Sequence, residues 1–509
     1  MPKFKPYNQH QAQLLPPSLA ECLPRDHFAF LVNEAVDGLD LKELENSYGT
    51  GGAPAYDPRM MVKVLFYGYS QGVASSRRIE MSLYENNAFR YLAGNRQPDH
   101  GTISLFRKSR LEGLKGLFAQ LVLLCGRLDL ADLTDISIDG TKIRADASKK
   151  NFYTQERIDE LKKRIGQDLA DAIVEDEAED EELGEKRSAD QLPPHLADKA
   201  GRKKAIEEAR KQLDRLREAE QAIRDKQEKC SNQEERGPKK NQSANLTDPD
   251  ANLMRMKDGS YQLAYNVQLA TSDQVIADYE VTNEPADGGQ FTALIEGTQG
   301  VSGREVKSAK ADAAYFSKET LEYCQKKTID AYIPDQMKAK EEKEERDGTV
   351  PRYDRRNFRY DQDNDCFICP EGKVLTFQNI DGDRGRKYAG IACRDCPAKA
   401  KCTKGKRRYL YFDPELERLR KEMRNKLNTS AGKDKYLERL SEAEAPFGNL
   451  KRNLGFTGYR VRGKPMVLVE TGLYAIAHNL VKIFNHLKKE KEKGNDIRLN
   501  ALMRSWAGV

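Results

Sequence analysis

Three carboxylates stand at or near the ends of well-separated apolar segments. Asp139 closes Leu133-Thr-Asp-Ile-Ser-Ile-Asp-Gly140, Asp312 lies in Val306-Lys-Ser-Ala-Lys-Ala-Asp-Ala-Ala-Tyr315, and Glu444 in Glu442-Ala-Glu-Ala-Pro-Phe-Gly-Asn-Leu-Lys-Arg452. An acid at the carboxyl end of a short apolar strand is held rigidly by a sheet yet faces solvent. Three such groups supply the hard oxygen ligands that a pair of Mg²⁺ ions needs, and paired metals suit phosphodiester cleavage. The plainer alternative is that an Asp before Gly or Ala simply forms a turn. The third acid adds context. Glu444 falls in a predicted helix with Lys451 two turns further along the same face, and with Tyr436 and Arg439 upstream. An acid for metal and a cation for phosphate then share one helix.

Secondary-structure signals place these acids in a mixed α/β sheet. Tyr261–Ala270 and Val275–Val281 read as strands, a helix covers about 289–298, and the Asp312 strand, a helix over 317–326 and a short strand at 330–334 follow. Residues 1–128 read as an all-helical DNA-binding domain, with Arg77, Arg78, Arg96, Arg107, Lys108 and Arg110 exposed between apolar positions. The catalytic core is expected over 129–150 and 246–335 and again over 431–509. Two insertions interrupt it. Within 151–245, Ile158, Leu161, Ile165, Leu169 and Ala172 in one arm, and Ile206, Ala209, Leu213, Leu216 and Ile223 in another, follow helical spacing and predict a charged helical hairpin.

The second insertion, 336–430, carries Cys366-Phe-Ile-Cys369, Cys393-Arg-Asp-Cys396 and Cys402. Paired CxxC motifs have zinc-ribbon spacing, and an all-Cys set leaves no open position, so a structural Zn²⁺ held by four of these five thiols is expected. Cys22, Cys125, Cys230 and Cys324 lie apart and read as incidental thiols. None of the six histidines forms a ligand-spaced pair.

These stretches resemble the DDE transposases of bacterial insertion sequences, whose catalytic domain is RNase H-like. The likeness is greatest to the insertion-sequence family numbered eleven-eighty-two, related to the family numbered five. It rests on Ser137-Ile-Asp-Gly-Thr-Lys-Ile-Arg144, Ala311-Asp-Ala-Ala-Tyr-Phe-Ser317 and Glu444-Ala-Pro-Phe-Gly-Asn-Leu-Lys-Arg-Asn-Leu-Gly-Phe456. It extends to Asp57-Pro-Arg-Met-Met-Val-Lys-Val-Leu65 and Ala477-His-Asn-Leu480, and so covers nearly the whole chain. The chain departs from the related Tyr, two residues, Arg, three residues, Glu pattern, because four residues separate Arg439 from Glu444.

The resemblance implies that Asp139, Asp312 and Glu444 hold two Mg²⁺ ions, with Mn²⁺ able to substitute. It implies that Lys451 contacts DNA phosphate, with Arg439, Arg452, Tyr436, Arg77 and Arg78 as further DNA contacts. The expected partners are double-stranded DNA, as terminal inverted repeats and target, and a second copy of the chain on paired ends. Two other readings remain at this stage: an RNase H-like nuclease without strand transfer, and a catalytically idle DNA-binding derivative.

Composition agrees. With 33% charged and 38% hydrophobic residues, much of the 509-residue chain must be solvated, and its net charge is only +5. Local patches therefore matter more than the sum: the acidic run 175–182 offsets the basic clusters Lys404-Gly-Lys-Arg-Arg408 and Lys451-Arg452 with Arg460, Arg462 and Lys464. The opening Met-Pro-Lys-Phe-Lys-Pro lacks a signal-peptide core, and no uninterrupted apolar run approaches the roughly 18 residues of a membrane span, which points to a cytoplasmic, nucleoid-associated protein with reduced cysteines.

Overall fold

Strand β1 (Asp135–Arg144) lies between an antiparallel neighbour and a parallel one, and this mixture sets the topology. The computed structural model describes residues 17–49, 54–109, 111–167, 199–231, 243–382, 385–495, 497 and 499. On one side of β1 lies β5 (Tyr261–Ser272), which pairs onward with β6 (Val275–Thr282) and, at its start, with β4 (Asn252–Arg255). Asp273 and Gln274 join β5 to β6 with φ of 49° and 65°. Two left-handed residues give the tight hairpin whose twist matches its strands. On the other side, β7 (Ser308–Ala311) and then β8 (Asp330–Tyr332) run parallel to β1. Parallel pairing needs crossovers, supplied by helices Phe291–Ser302 and Lys318–Lys326. The order β6-β5-β1-β7-β8, three antiparallel strands followed by two parallel ones, is that of an RNase H-like sheet, as the sequence led one to expect.

Among the described residues, seven helices precede this sheet: α1 (Phe28–Gly38), α2 (Lys42–Asn46), α3 (Pro58–Ser70), α4 (Ser76–Glu85), α5 (Asn87–Leu92), α6 (His100–Ser109) and α7 (Leu111–Arg127). α3 starts at Pro58 with Asp57 accepting from the N–H groups of Arg59 and Met60, so proline and cap agree on the first turn. The helices do not enclose a core of their own. Leu65 and Phe66 belong to the same buried cluster as Ile136 and Val281 of the sheet, bridged by Leu473 and Ile476 of the long helix Lys464–Glu492. That helix is long and apolar enough to cross a membrane, but 78% of its apolar window is buried inside the protein, where it packs on β6, α3 and α7. Its Asn479 bonds both the N–H and the C=O of Ile276 at 3.0 and 2.9 Å, and His478 bonds the carbonyl of Gln274 at 2.8 Å. The Ala477-His-Asn-Leu480 motif thus clamps the β5–β6 hairpin.

The two insertions differ. In the first, Phe152–Thr154 pairs with Ser243–Asn245 at the neck, and a helical segment at 155–167 packs Ile158 against Leu216, Ala219 and Ile223 of helix Lys199–Ser231. The acidic run, Leu169, Ala172 and Pro193-Pro194 lie outside the described residues. The second builds a separate antiparallel meander, β9 (Arg359–Asp361), β10 (Cys366–Ile368), β11 (Val374–Ile380), β12 (Arg386–Gly390) and β13 (Tyr409–Phe412), around Phe358, Phe367, Leu375, Tyr388 and Leu410.

Candidate active site

Ile138 of β1 pairs with Ala311 of β7 in parallel register, so the next residues, Asp139 within β1 and Asp312 just beyond β7, stand side by side. Neighbouring strands lie about 4.8 Å apart. Each acid turns one oxygen to the backbone: Asp139 Oδ1 accepts from the Gly140 N–H at 2.9 Å, and Asp312 Oδ1 from the Ala314 N–H at 2.8 Å. Asp312 thereby caps the turn that follows β7, whereas Asp139 stays within its strand, and each has a second oxygen that these backbone bonds leave free. Gly140 is required here, since a Cβ would come within 2.4 Å of Gln268 Nε2 and 2.8 Å of Asp287 Oδ1.

Burial pushes the Asp139 carboxyl up to about 6; Arg439 and the Gly140 N–H pull it down, and Asp312 pushes it up again. Burial likewise raises Asp312, against the Ala314 N–H and Arg439, with Asp287 adding to the rise. Two carboxylates with too little positive charge nearby make a site that favours a cation.

The Glu444 helix (Ser430–Gly448) lies across β1, β7 and β8. Its Lys435 pairs with Asp135 at 2.6 Å, and its buried Arg439 brings Nη1 within 3.7 Å of Asp139 Oδ2. Glu442 faces the sheet, bonding Ser137 and, at 2.7 Å, Lys310. Asp135, Glu438 and Glu442 form an acidic cluster of metal-binding dimensions, but the Lys310 ammonium already sits 3.0, 3.2 and 2.7 Å from them. That cluster is a buried ion network with lysine in the cation position.

Glu444 itself is exposed and has no hydrogen-bond or ion-pair partner among the described residues; the structure does not bring it into contact with Asp139 or Asp312. The spacing from Arg439 explains this. In a helix each residue turns about 100°, so the position four after Arg439 is the buried Ala443, and Glu444 lies one step further round. A π-helical turn, Asn449–Asn453, follows and carries Lys451, whose Nζ donates to Thr141 Oγ1 at 2.5 Å, two residues beyond Asp139 on the same face of β1. Burial, then Lys257, lower the Lys451 ammonium, while Asp139 raises it.

Behind the acid pair runs a polar chain. Asp287 Oδ1 accepts from Asn266 Nδ2 and Gln268 Nε2, both at 2.6 Å, and buried Tyr315 donates to Gln268 Oε1. In the sequence, Asp287 in Asn283-Glu-Pro-Ala-Asp287 has the look of a loop cap or a residue of the site rim, and no local signal singles out Gln268, Tyr315 or Lys257. The Lys257-Asp-Gly turn reads only as a hairpin tip, and nothing local aims it at Asp139.

Of the remaining expected DNA contacts, Arg452, Arg77 and Arg78 are exposed and Tyr436 is half-buried beneath Arg439, 5.7 Å from its guanidinium. Arg107, expected at the surface, is instead buried: Nη1 donates to Tyr69 Oη at 2.9 Å and to the Ala74 carbonyl at 3.0 Å, fastening α6 to α3. Among the clustered cysteines, Cys369, Cys393, Cys396 and Cys402 line one small cavity, and Cys366 is buried in β10 away from it.

Two family models match the chain, a transposase DDE domain over residues 368–484 and a second transposase domain over residues 17–109. No curated protein and no solved structure matches in the corresponding comparisons. Fold and matches together support a DDE transposase of the insertion-sequence type. The first match runs from the end of β10 through the rest of the Cys-rich meander, the Glu444 helix and most of the long core helix; the second spans α1 to α6.

Proposed function

We propose that this chain cleaves insertion-sequence ends and joins them to target DNA, with Asp139, Asp312 and Glu444 as the acids that would hold two Mg²⁺ ions, Mn²⁺ substituting. The observation that carries this reading is the register of the parallel pair β1–β7, which sets Asp139, midway along β1, beside Asp312, just past the end of β7. The residues fit such ions: each Asp keeps an oxygen that no backbone N–H takes, burial leaves both short of positive charge, and Glu444 is an unpaired exposed carboxylate on the helix that crosses them. When bound, the metals supply Lewis-acid activation of a water or 3′-hydroxyl and stabilise charge at the leaving oxygen.

The chain's own residues do the rest. Arg439 holds Asp139 in place, and Lys451 and Lys257 present cations beside it to a DNA phosphate, fixing the scissile group in line. Arg452 and the exposed Arg77 and Arg78 extend this track along double-stranded DNA, with two copies of the chain on paired ends. The protein acts in the cytoplasm at the nucleoid, and its Cys-rich meander is stapled by a structural Zn²⁺. Incubating the full chain with Mg²⁺ and DNA carrying its terminal inverted repeats, and resolving nicked, hairpin and joined products, tests the reading. Joined products support it, cleavage alone reduces it to a nuclease, and binding without cleavage removes it.

A further inference from the structure

The meander β9–β13 is too small to hold itself together by burial. Its core cluster is Phe358, Phe367, Leu375, Tyr388 and Leu410, and a core of this size contributes little against the cost of ordering five strands. Against one side of that core sit the partly buried thiols of Cys369 and Cys402. These two, with Cys393 and Cys396, line a single cavity of about 30 Å³, the room of one water or one ion.

The backbone around the cavity is shaped for sulfur. Cys369 opens a tight turn in which its own N–H donates to the Lys373 carbonyl at 2.8 Å and the Lys373 N–H points back to Cys369 Sγ at 3.3 Å. Donors of this kind orient and stabilise thiolate ligands. On the facing loop a Cβ at Gly390 would lie 2.3 Å from Cys393 Sγ, so only glycine lets that thiol lie against the end of β12. Cys402 ends the one-turn helix Lys399–Cys402, and Arg408 donates to its carbonyl at 3.3 Å. Cys366 differs. It pairs with Asp361 and Thr376 inside the sheet, one residue before Phe367, so its side chain leaves the face opposite the one that Phe367 buries in the core.

Resting on the reading of this segment as zinc-stapled, we infer that Cys369, Cys393, Cys396 and Cys402 are the four ligands of one Zn²⁺ and that Cys366 is a buried thiol outside the site. Four cysteines give a closed, structural site, and the loops that carry them are the connections β10–β11 and β12–β13, so one ion ties both ends of the meander.

The test is metal analysis of the reduced full-length protein and of five single Cys→Ser variants, with trypsin cleavage within Lys399–Arg408 as the second readout. About one zinc per chain is expected for the parent and for Cys366→Ser, with at least a severalfold loss for Cys369→Ser, Cys393→Ser, Cys396→Ser and Cys402→Ser and faster cleavage of that loop. Because a serine variant can lose its fold for other reasons, Cys402→His is made in parallel; it keeps a ligand at that position and is expected to retain the metal. Zinc kept in Cys402→Ser but lost in Cys366→Ser overturns the ligand assignment alone. A parent protein free of zinc overturns the zinc reading itself.

Discussion

The Lys310 ammonium lies 2.7 Å from Glu442 and is wholly buried, while Glu444, two residues further along the same helix, is exposed and has no partner among the described residues. Burial alone would lower Lys310, but Glu442 and Asp135 outweigh it and hold the ammonium above its ordinary value. Two neighbouring acids therefore stand in different environments. Glu442 anchors the helix to the sheet, and Glu444 faces solvent, free for the role of third acid proposed above.

Glu444→Gln is expected to abolish DNA cleavage while changing stability by no more than about 0.5 kcal/mol, as surface substitutions do. Glu442→Gln should retain cleavage and lose stability. Lys310→Met leaves Glu442 without a cation, while Lys435 stays on Asp135 and Glu438, and should cost about 3 kcal/mol. Urea denaturation and a cleavage assay on the same preparations separate the cases. A cleaving Glu444→Gln beside an inactive but stable Glu442→Gln would reverse the assignment.

The Asp139 site trades stability for chemistry. Its folded pKa, about 6, lies above the ordinary aspartate value, so the native state binds the proton more tightly than the unfolded chain. Its contribution is present at low pH and is lost as pH rises from about 4 through 6. At pH 7.5 without metal, Asp139→Asn should raise stability by roughly 1–3 kcal/mol while eliminating cleavage. Melting curves at pH 5 and 7.5 check the sign, because the gain should shrink at the lower pH.

His478 works in the opposite direction. Burial holds its imidazole down to about 4, and with Nε2 bonded to the Gln274 carbonyl, Nδ1 is free to accept from Asn449 at 2.9 Å. The neutral ring is the stabilising form, so its contribution is complete above the ordinary histidine value of 6.5 and is lost as pH falls from there towards 4. His478→Gln, which cannot charge, should flatten the acid limb of the stability curve by up to about 3 kcal/mol. An unchanged limb would assign acid sensitivity to other groups.

The sheet was legible because its signals are local. Alternation in Tyr261–Ala270, the apolar runs ending at Asp139 and Asp312, and the order of strands and helices all lie within short windows. Strands of three residues such as Arg359–Asp361 and Cys366–Ile368 are too short for a periodic signal, so the second sheet went unseen and only its cysteines stood out. The burial of Arg107 depends on Tyr69 of α3 and on the Ala74 carbonyl in the loop between α3 and α4, 38 and 33 residues away, and no pattern in α6 encodes those partners. Glu442 and Glu444 look alike in sequence. What separates them is a lysine on β7 that reaches one and not the other.

The last prediction concerns where terminal repeats are read. Residues 1–128 read in the sequence as a DNA-binding domain of their own, but α1–α7 share one core with the sheet and the long helix Lys464–Glu492. A fragment ending at Arg127 would expose Val62, Leu65, Tyr69 and Leu121, all buried in the full chain, and is expected to aggregate rather than bind. The test belongs in the intact protein. Arg77 and Arg78 are exposed on α4 and pair with no acid among the described residues, so Arg77→Ala with Arg78→Ala should leave melting unchanged and weaken DNA binding. If both contact phosphates, the slope of log affinity against log salt should flatten by roughly 2. If they also read bases, binding to the terminal repeats should fall more than binding to unrelated DNA, by about 1–3 kcal/mol per lost base contact. Unchanged affinity and slope would move end recognition to the basic surface around Lys451, Arg452 and Arg460.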